Sequence, residues 1–217
     1  MKRLEMAYQI RSAVTNKDET ALTALIKSGG VDLNQRLNGS TPLGLAVYFG
    51  YLRGVELLLE AGANPNIRMT ILDIQCEYQY TGAEPPLTYL VRKPLTQSME
   101  IAKLLLSHGA NPSAEDTLSF TPLFYAATRN DLQFTKLLFQ YGADISKVMD
   151  SLSDVFDFRG YPMTVLHIAF DSGKEELAQY LLQHAMHHGC LHDVQDGEGN
   201  QECSSPLKKV WLLMKIA

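Results

Sequence analysis

The densest group of side chains able to do chemistry is "QHAMHHGCLHD", which holds His184, His187, His188, Cys190, His192 and Asp193. Imidazole and thiolate are the ligands zinc prefers, and two histidines four residues apart on a continuing helix share one face. His184 and His188 have that spacing, with Cys190 and His192 as further candidate ligands. The chemistry implied is a structural zinc or a small zinc-dependent enzyme. A cysteine enzyme pairing Cys190 or Cys203 with His167 is the other catalytic option. Features of the sequence argue against each. No second ligand cluster lies elsewhere in the sequence, and no nucleophile elbow accompanies either cysteine. Histidines near a helix C-terminus also serve simply by complementing its dipole. Gly29-Gly30 follows a helical pattern instead of preceding one, so it is not a phosphate-cradling loop. Asp193, Asp196, Glu198 and Glu202 lack calcium-loop spacing. No cofactor is expected.

Composition narrows the classes further. The chain has 217 residues, 46% of them hydrophobic, enough for a continuous core. No apolar run approaches the roughly 18 residues of a membrane span. Glu5 and Gln9 interrupt the stretch a secretory signal would need. Three scattered cysteines do not make a disulfide framework, which fits a reducing, cytoplasmic compartment. Delivery into another cell would need a non-classical route. A net charge of -5 disfavours nucleic acid as the main partner.

The elements that would position any site are set by repetition. Pro42, Pro86, Pro122, Val165 and Pro206 occupy one slot, each followed by Leu. Four residues later stand Ala46, Leu90, Ala126, Ala169 and Val210. Gly62, Gly109, Gly142 and Ala185 close a second segment, and Ala13, Leu25-Ile26 and Gly29 mark a first unit without the proline. Each fixed residue has a local reason. Thr41 suits an N-cap and Pro42 the first helical turn. Leu43, Ala46 and Val47 recur on one helical face, with a small residue where a neighbouring helix can come close. The segment 52–61 buries Val55, Leu58 and Leu59, and Gly62 suits a left-handed helix stop. Asn64, Pro65 and Asn66 carry turn chemistry. Such a helix–turn–helix–finger unit cannot bury its apolar face alone and is completed by stacking.

These words resemble the ankyrin repeat. Thr-Pro-Leu, the small residue that follows it, Leu-Leu, Gly-Ala and the closing Asn pair are visible at 41–66, 86–112, 121–144 and 164–186. The resemblance implies an all-α repeat solenoid of antiparallel helix pairs with β-hairpin or loop fingers. The units fall at about 1–35 (an N-terminal cap), 36–69, 83–116, 117–147 and 160–190, with a C-terminal half repeat at 204–217, all in a single domain 1–217. Pro85 replaces the capping Thr, Leu90 replaces the small Ala, and Ala185 replaces Gly. His167 keeps the family's structural histidine.

The resemblance further implies a non-enzymatic, monomeric protein-binding module that uses finger tips and the exposed edge of each first helix. Carried over, those positions are Arg36, Leu37, Asn38 and Ser40, then Tyr48 and Phe49, then Glu84, Arg92 and Lys93. Thr117, Leu118, Phe120, Thr128 and Arg129 follow, with Asp171 and Ser172. Three fingers, at 62–86, 142–165 and 185–206, exceed the family norm, and long loops in compact domains are commonly functional. Two of them carry aromatics: Tyr78 and Tyr80 in one, Phe156, Phe158 and Tyr161 in the other. Bespoke fingers on divergent repeats suit a microbial effector, an immunity or inhibitor protein, or an adaptor.

Overall fold

A computed structural model describes residues 2–70, 83–147, 164–171 and 173–187. Tyr78, Tyr80, Phe156, Phe158, Tyr161, His188, Cys190, His192 and the expected half repeat at 204–217 lie outside them. Ten helices and one two-stranded ribbon occupy the described residues. The chain divides into two compact units, residues 1–117 and 118–217.

The first unit contains helices α1 (Lys2–Thr15), α2 (Glu19–Ser28), α3 (Pro42–Tyr48), α4 (Leu52–Glu60), α5 (Pro86–Arg92) and α6 (Ser98–Ser107). Successive helices pair as α1 with α2, α3 with α4 and α5 with α6. First helices then pack on first helices, α1 on α3 and α3 on α5, and second on second, α2 on α4 and α4 on α6. This is the helix-pair repeat expected from the sequence. Ala46 is fully buried where α3 meets its neighbours, and Leu43, Val47, Val55 and Leu58 complete the stripe. In α1, Ile10, Ala13 and Val14 face inward. Arg11 of α1 is half-buried, and its Nη1 donates to the Leu37 carbonyl at 3.0 Å.

Local chemistry sets the helix ends. The Thr41 hydroxyl accepts from the Gly44 amide at 3.1 Å, and Pro42 opens α3 without wasting a donor. Gly62 has φ 89°, and the amide of Ala63 reaches back to the Leu58 carbonyl, closing α4 in a conformation that suits glycine. Past the helices, asparagines link successive fingers. The Asn64 amide donates to Asn34 Oδ1, the Asn111 amide donates to Asn66 Oδ1, and Asn66 Nδ2 donates to the Gly109 carbonyl. The fixed Asn positions are therefore ties between repeats. Strands β1 (Met69–Thr70) and β2 (Ala83–Glu84) pair antiparallel, Met69 with Glu84 and Thr70 with Ala83.

The second unit contains α7 (Pro122–Thr128), α8 (Leu132–Gln140), α9 (Val165–Asp171) and α10 (Glu175–His187). α7 packs on α8 and on α9, and α9 on α10. Thr121 caps α7 as Thr41 caps α3, accepting from the Phe124 amide at 3.2 Å. Ala126 and Ala169 are buried at the position of Ala46. One expected boundary moves. The repeat register ends the last helix near Ala185, yet α10 runs to His187 with Ala185 buried inside it. Alanine favours helix and gives no left-handed stop, so the helix continues where a glycine would have ended it.

Candidate protein-binding surface

Among the described residues of the first unit, an aromatic cluster lies where α3 ends. Tyr48 is the last residue of α3 and Phe49 its C-cap, with Gly50 turning the chain at φ 59°. Phe49 meets Tyr48 edge-on at 5.0 Å between ring centres. Tyr48 also lies 5.8 Å from Tyr89, one repeat further on α5. The Arg92 guanidinium carbon sits 5.7 Å from the centre of the Tyr89 ring, within cation–π reach. Tyr48, Phe49, Arg92 and Lys93 are each half-buried, so their bodies pack while part of each surface remains in water. Sequence reasoning missed Tyr89, whose burial makes it the floor of the cluster. Its position three residues after the proline slot gave the signal.

Arg92 is held by more than the ring. Its Nε donates to Glu84 Oε2 at 3.1 Å and its Nη2 to Glu84 Oε1, a two-point ion pair. Glu84 was expected to line the surface but is 1% exposed on β2. Burial pushes its carboxyl above the ordinary carboxylate range, Arg92 pulls the other way, and the Asp116 charge adds to the rise. Glu84 therefore positions the guanidinium and is itself out of a partner's reach.

The finger before α3 is a tight bridge between Leu37 and Ser40, with Asn38 at φ 51° and Gly39 at φ 84° between them. A side chain at 39 would collide with Thr70, whose Cβ lies 2.9 Å from the place a Cβ would occupy. Thr70 instead donates its amide to the Gly39 carbonyl at 3.0 Å, laying β1 against the finger. Arg36 reaches the same carbonyl through Nε and Nη2, and Thr70 Oγ1 through Nη2. Arg36 and Asn38 are exposed and Leu37 half-buried. Ser40 departs from expectation. It is 5% exposed, and its hydroxyl donates to the Thr70 carbonyl.

In the second unit Arg129 is exposed at the end of α7, and Leu118 is half-buried. Phe120, expected at the surface, is 1% exposed. It stacks on Phe124 at 4.1 Å and meets Tyr125 edge-on at 5.9 Å, so it belongs to the core. The carbonyls that end α7 are closed by Lys174, whose Nζ donates to Ala127 and Thr128 at 2.8 and 2.6 Å. Desolvation holds that amine below the usual lysine range. His184 stacks flat on Phe139 at 3.6 Å, which gives it a packing role. Among the described residues no group of three His, Cys, Asp or Glu side chains is placed to hold a metal ion. No helix among them is long and apolar enough to cross a membrane.

The family model described as ankyrin repeats (3 copies) matches residues 9–69 and 72–149. The chain is 33% identical over 111 residues to an ankyrin repeat protein of fowlpox virus, covering 51% of this chain and 22% of that protein. It is 33% identical over 139 residues to the mouse B-cell lymphoma 3 protein homolog, covering 62% and 28%. An ankyrin repeat protein of Acanthamoeba polyphaga mimivirus matches at 27% over 206 residues, covering 88% of this chain and 25% of that one. The chain thus spans between a fifth and a third of the length of these relatives.

Proposed function

Because the chain belongs to the ankyrin repeat family, whose repeats are protein–protein interaction modules, we propose that it holds a protein partner without catalysing a reaction. The proposed module comprises the whole chain. The observation that carries the reading is the Tyr48, Phe49, Tyr89 and Arg92 cluster. Tyrosine and arginine dominate binding hot spots, and they do so when their geometry is fixed before the partner arrives. Here Glu84 and Tyr89 fix Arg92 from two sides. The proposed contact set keeps Arg36, Leu37, Asn38, Lys93, Leu118 and Arg129 from the described surface. On sequence grounds it adds Tyr78, Tyr80, Phe156, Phe158 and Tyr161. The finer role, a microbial effector or an immunity or inhibitor protein, rests on the bespoke fingers alone.

The test pairs capture with mutation. A partner recovered by affinity capture with the wild-type protein should be lost by Tyr48→Ser with Phe49→Ser, and by shortening residues 70–80 to a standard finger. It should be kept by Lys103→Gln, an exposed change on α6. Equal capture by the folded Tyr48/Phe49 double variant would overturn the assignment of the site.

A further inference from the structure

The arginines of the first unit meet two different kinds of acceptor. On the second helices, Arg53 is neutralised by Glu19 at 2.9 Å and by Glu56. At the fingers Arg92 is likewise paired, with the Glu84 carboxylate, but three other arginines meet uncharged acceptors. Arg11 donates to the Leu37 carbonyl. Arg36 donates to the Gly39 carbonyl and to Thr70 Oγ1. Arg68 donates to the carbonyls of Ala83 at 3.1 Å and Glu115 at 2.8 Å. Among the described residues none of these three is paired with a carboxylate.

The three also belong to one hydrogen-bonded row. Arg11 holds Leu37, whose bridge to Ser40 leads to Thr70, and Thr70 pairs with Ala83, which Arg68 holds. A carbonyl fixes a guanidinium without cancelling its charge. Among the described residues these three guanidiniums are therefore immobilised positive charges with no carboxylate partner, on a chain whose net charge is -5. Long side chains that are already ordered lose less entropy when a partner binds, and unneutralised charge steers an oppositely charged partner toward them.

We propose that the finger row of Arg11, Arg36 and Arg68 recognises an acidic polypeptide segment, so that the partner of this module presents aspartates or glutamates to the fingers. This rests on the binding reading above and specifies its partner. A polypeptide is favoured over nucleic acid because the net negative charge of the chain would repel a long polyanion beyond the row.

The probe is a fluorescein-labelled octaglutamate peptide, measured by anisotropy against the full chain at 50 and 200 mM salt. A glutamine octapeptide and a single-stranded oligonucleotide of equal charge serve as comparisons. Octaglutamate should bind, weaken as salt rises, and lose about tenfold in affinity when Arg11, Arg36 and Arg68 are all changed to Gln. Arg53→Gln should leave it unchanged. The triple lysine variant, which keeps charge, should retain most of the binding. Absence of octaglutamate binding, equal loss in Arg53→Gln, or tighter binding of the oligonucleotide each overturns the proposal. Circular dichroism of the variants separates loss of the row from loss of fold. If octaglutamate fails to bind while a captured partner still depends on Tyr48 and Phe49, the acidic specificity falls and the binding module stands.

Discussion

Helices α4 and α8 have the same length and the same place in their repeats, yet they fill one space from opposite ends. In α8 the N-cap is Asp131, whose Oδ1 accepts from the Phe134 amide at 3.0 Å, and Phe134 itself is buried three residues into the helix. In α4 the N-cap position holds Tyr51, which makes no side-chain cap, and the residue three further on is Gly54. The Tyr51 ring lies over Gly54, its Cδ1 only 2.2 Å from where a Cβ would stand. One helix spends its first position on capping and packs with its third. The other packs with its first and leaves the third empty. In these two helices an aromatic ring fills the helix start, and either position supplies it. The choice decides whether the helix start gains a cap.

The largest effect should come from refilling the empty position. Gly54 is not in the left-handed region, so helix propensity alone predicts that Gly54→Ala stabilises by about 1 kcal/mol. Packing predicts the opposite sign. Tyr51 is 8% exposed, and its ring would have to shift to admit the new methyl group. We expect a net loss of roughly 1–3 kcal/mol, the usual range for overpacking, read as a fall in urea midpoint. A stabilised variant would mean that the ring can swing away and that the exchange between the two helices is accidental.

The double change Tyr51→Asp with Gly54→Phe copies the α8 arrangement onto α4. It should recover most of what Gly54→Phe alone loses, because the aspartate vacates the ring space and supplies a cap. A double variant no more stable than Gly54→Phe alone would show that the two helices sit in spaces of different shape.

How much of this was legible in the sequence divides along the same line. Positions governed by local chemistry were readable: Thr41 as a cap, Gly62 as a helix stop, the asparagines as turn formers. The cap, the stop and the local asparagine turns have partners within a few residues, which a sequence displays directly. The asparagine ties between fingers span thirty residues or more and were not legible. Positions governed by tertiary burial were not legible either. Ser40, Glu84 and Phe120 occupy finger positions that the repeat pattern sends outward, yet each is turned inward by a contact with another part of its unit. Ser40 finds the Thr70 carbonyl thirty residues away, Glu84 finds Arg92 on the next helix, and Phe120 stacks on Phe124. Phe120 follows Ser119, whose φ of 62° re-aims the chain just before it. The Tyr51 and Gly54 exchange was hidden for another reason. The Val55, Leu58 and Leu59 stripe already accounted for a buried face, so nothing in the pattern asked what filled the helix start.

On the α8 side, removing the cap tests the other half of the comparison. Asp131→Ala should cost about 1 kcal/mol, because the Phe134 amide loses its acceptor. The bond from the Thr135 hydroxyl at 2.9 Å goes to the Asp131 backbone carbonyl and survives the change. A loss within 0.3 kcal/mol of zero would mean that water replaces the carboxylate at no cost.

The smallest effect belongs to the Tyr51 hydroxyl, and its sign is the informative part. The oxygen is buried with no hydrogen-bond partner among the described residues, whereas the ring beneath it is needed for packing. A buried hydroxyl that has given up water without a replacement costs free energy, on the order of 1 kcal/mol, so Tyr51→Phe should stabilise by up to that amount. The pH dependence follows from the same burial. Desolvation raises the phenol above the ordinary tyrosine range, and the nearby Glu19 and Asp18 charges raise it further against the pull of Arg53. The folded state therefore binds this proton more tightly than the unfolded chain. Its contribution is complete below the unfolded value and is lost as pH climbs through the folded one. Wild-type stability should consequently fall more steeply above pH 10 than that of Tyr51→Phe, and the gap between the two should widen there. Parallel curves across that range, or a destabilised phenylalanine variant, would show that the hydroxyl is satisfied in solution by a bound water. α4 would then have a polar anchor at its start after all, supplied by the ring that fills its third position.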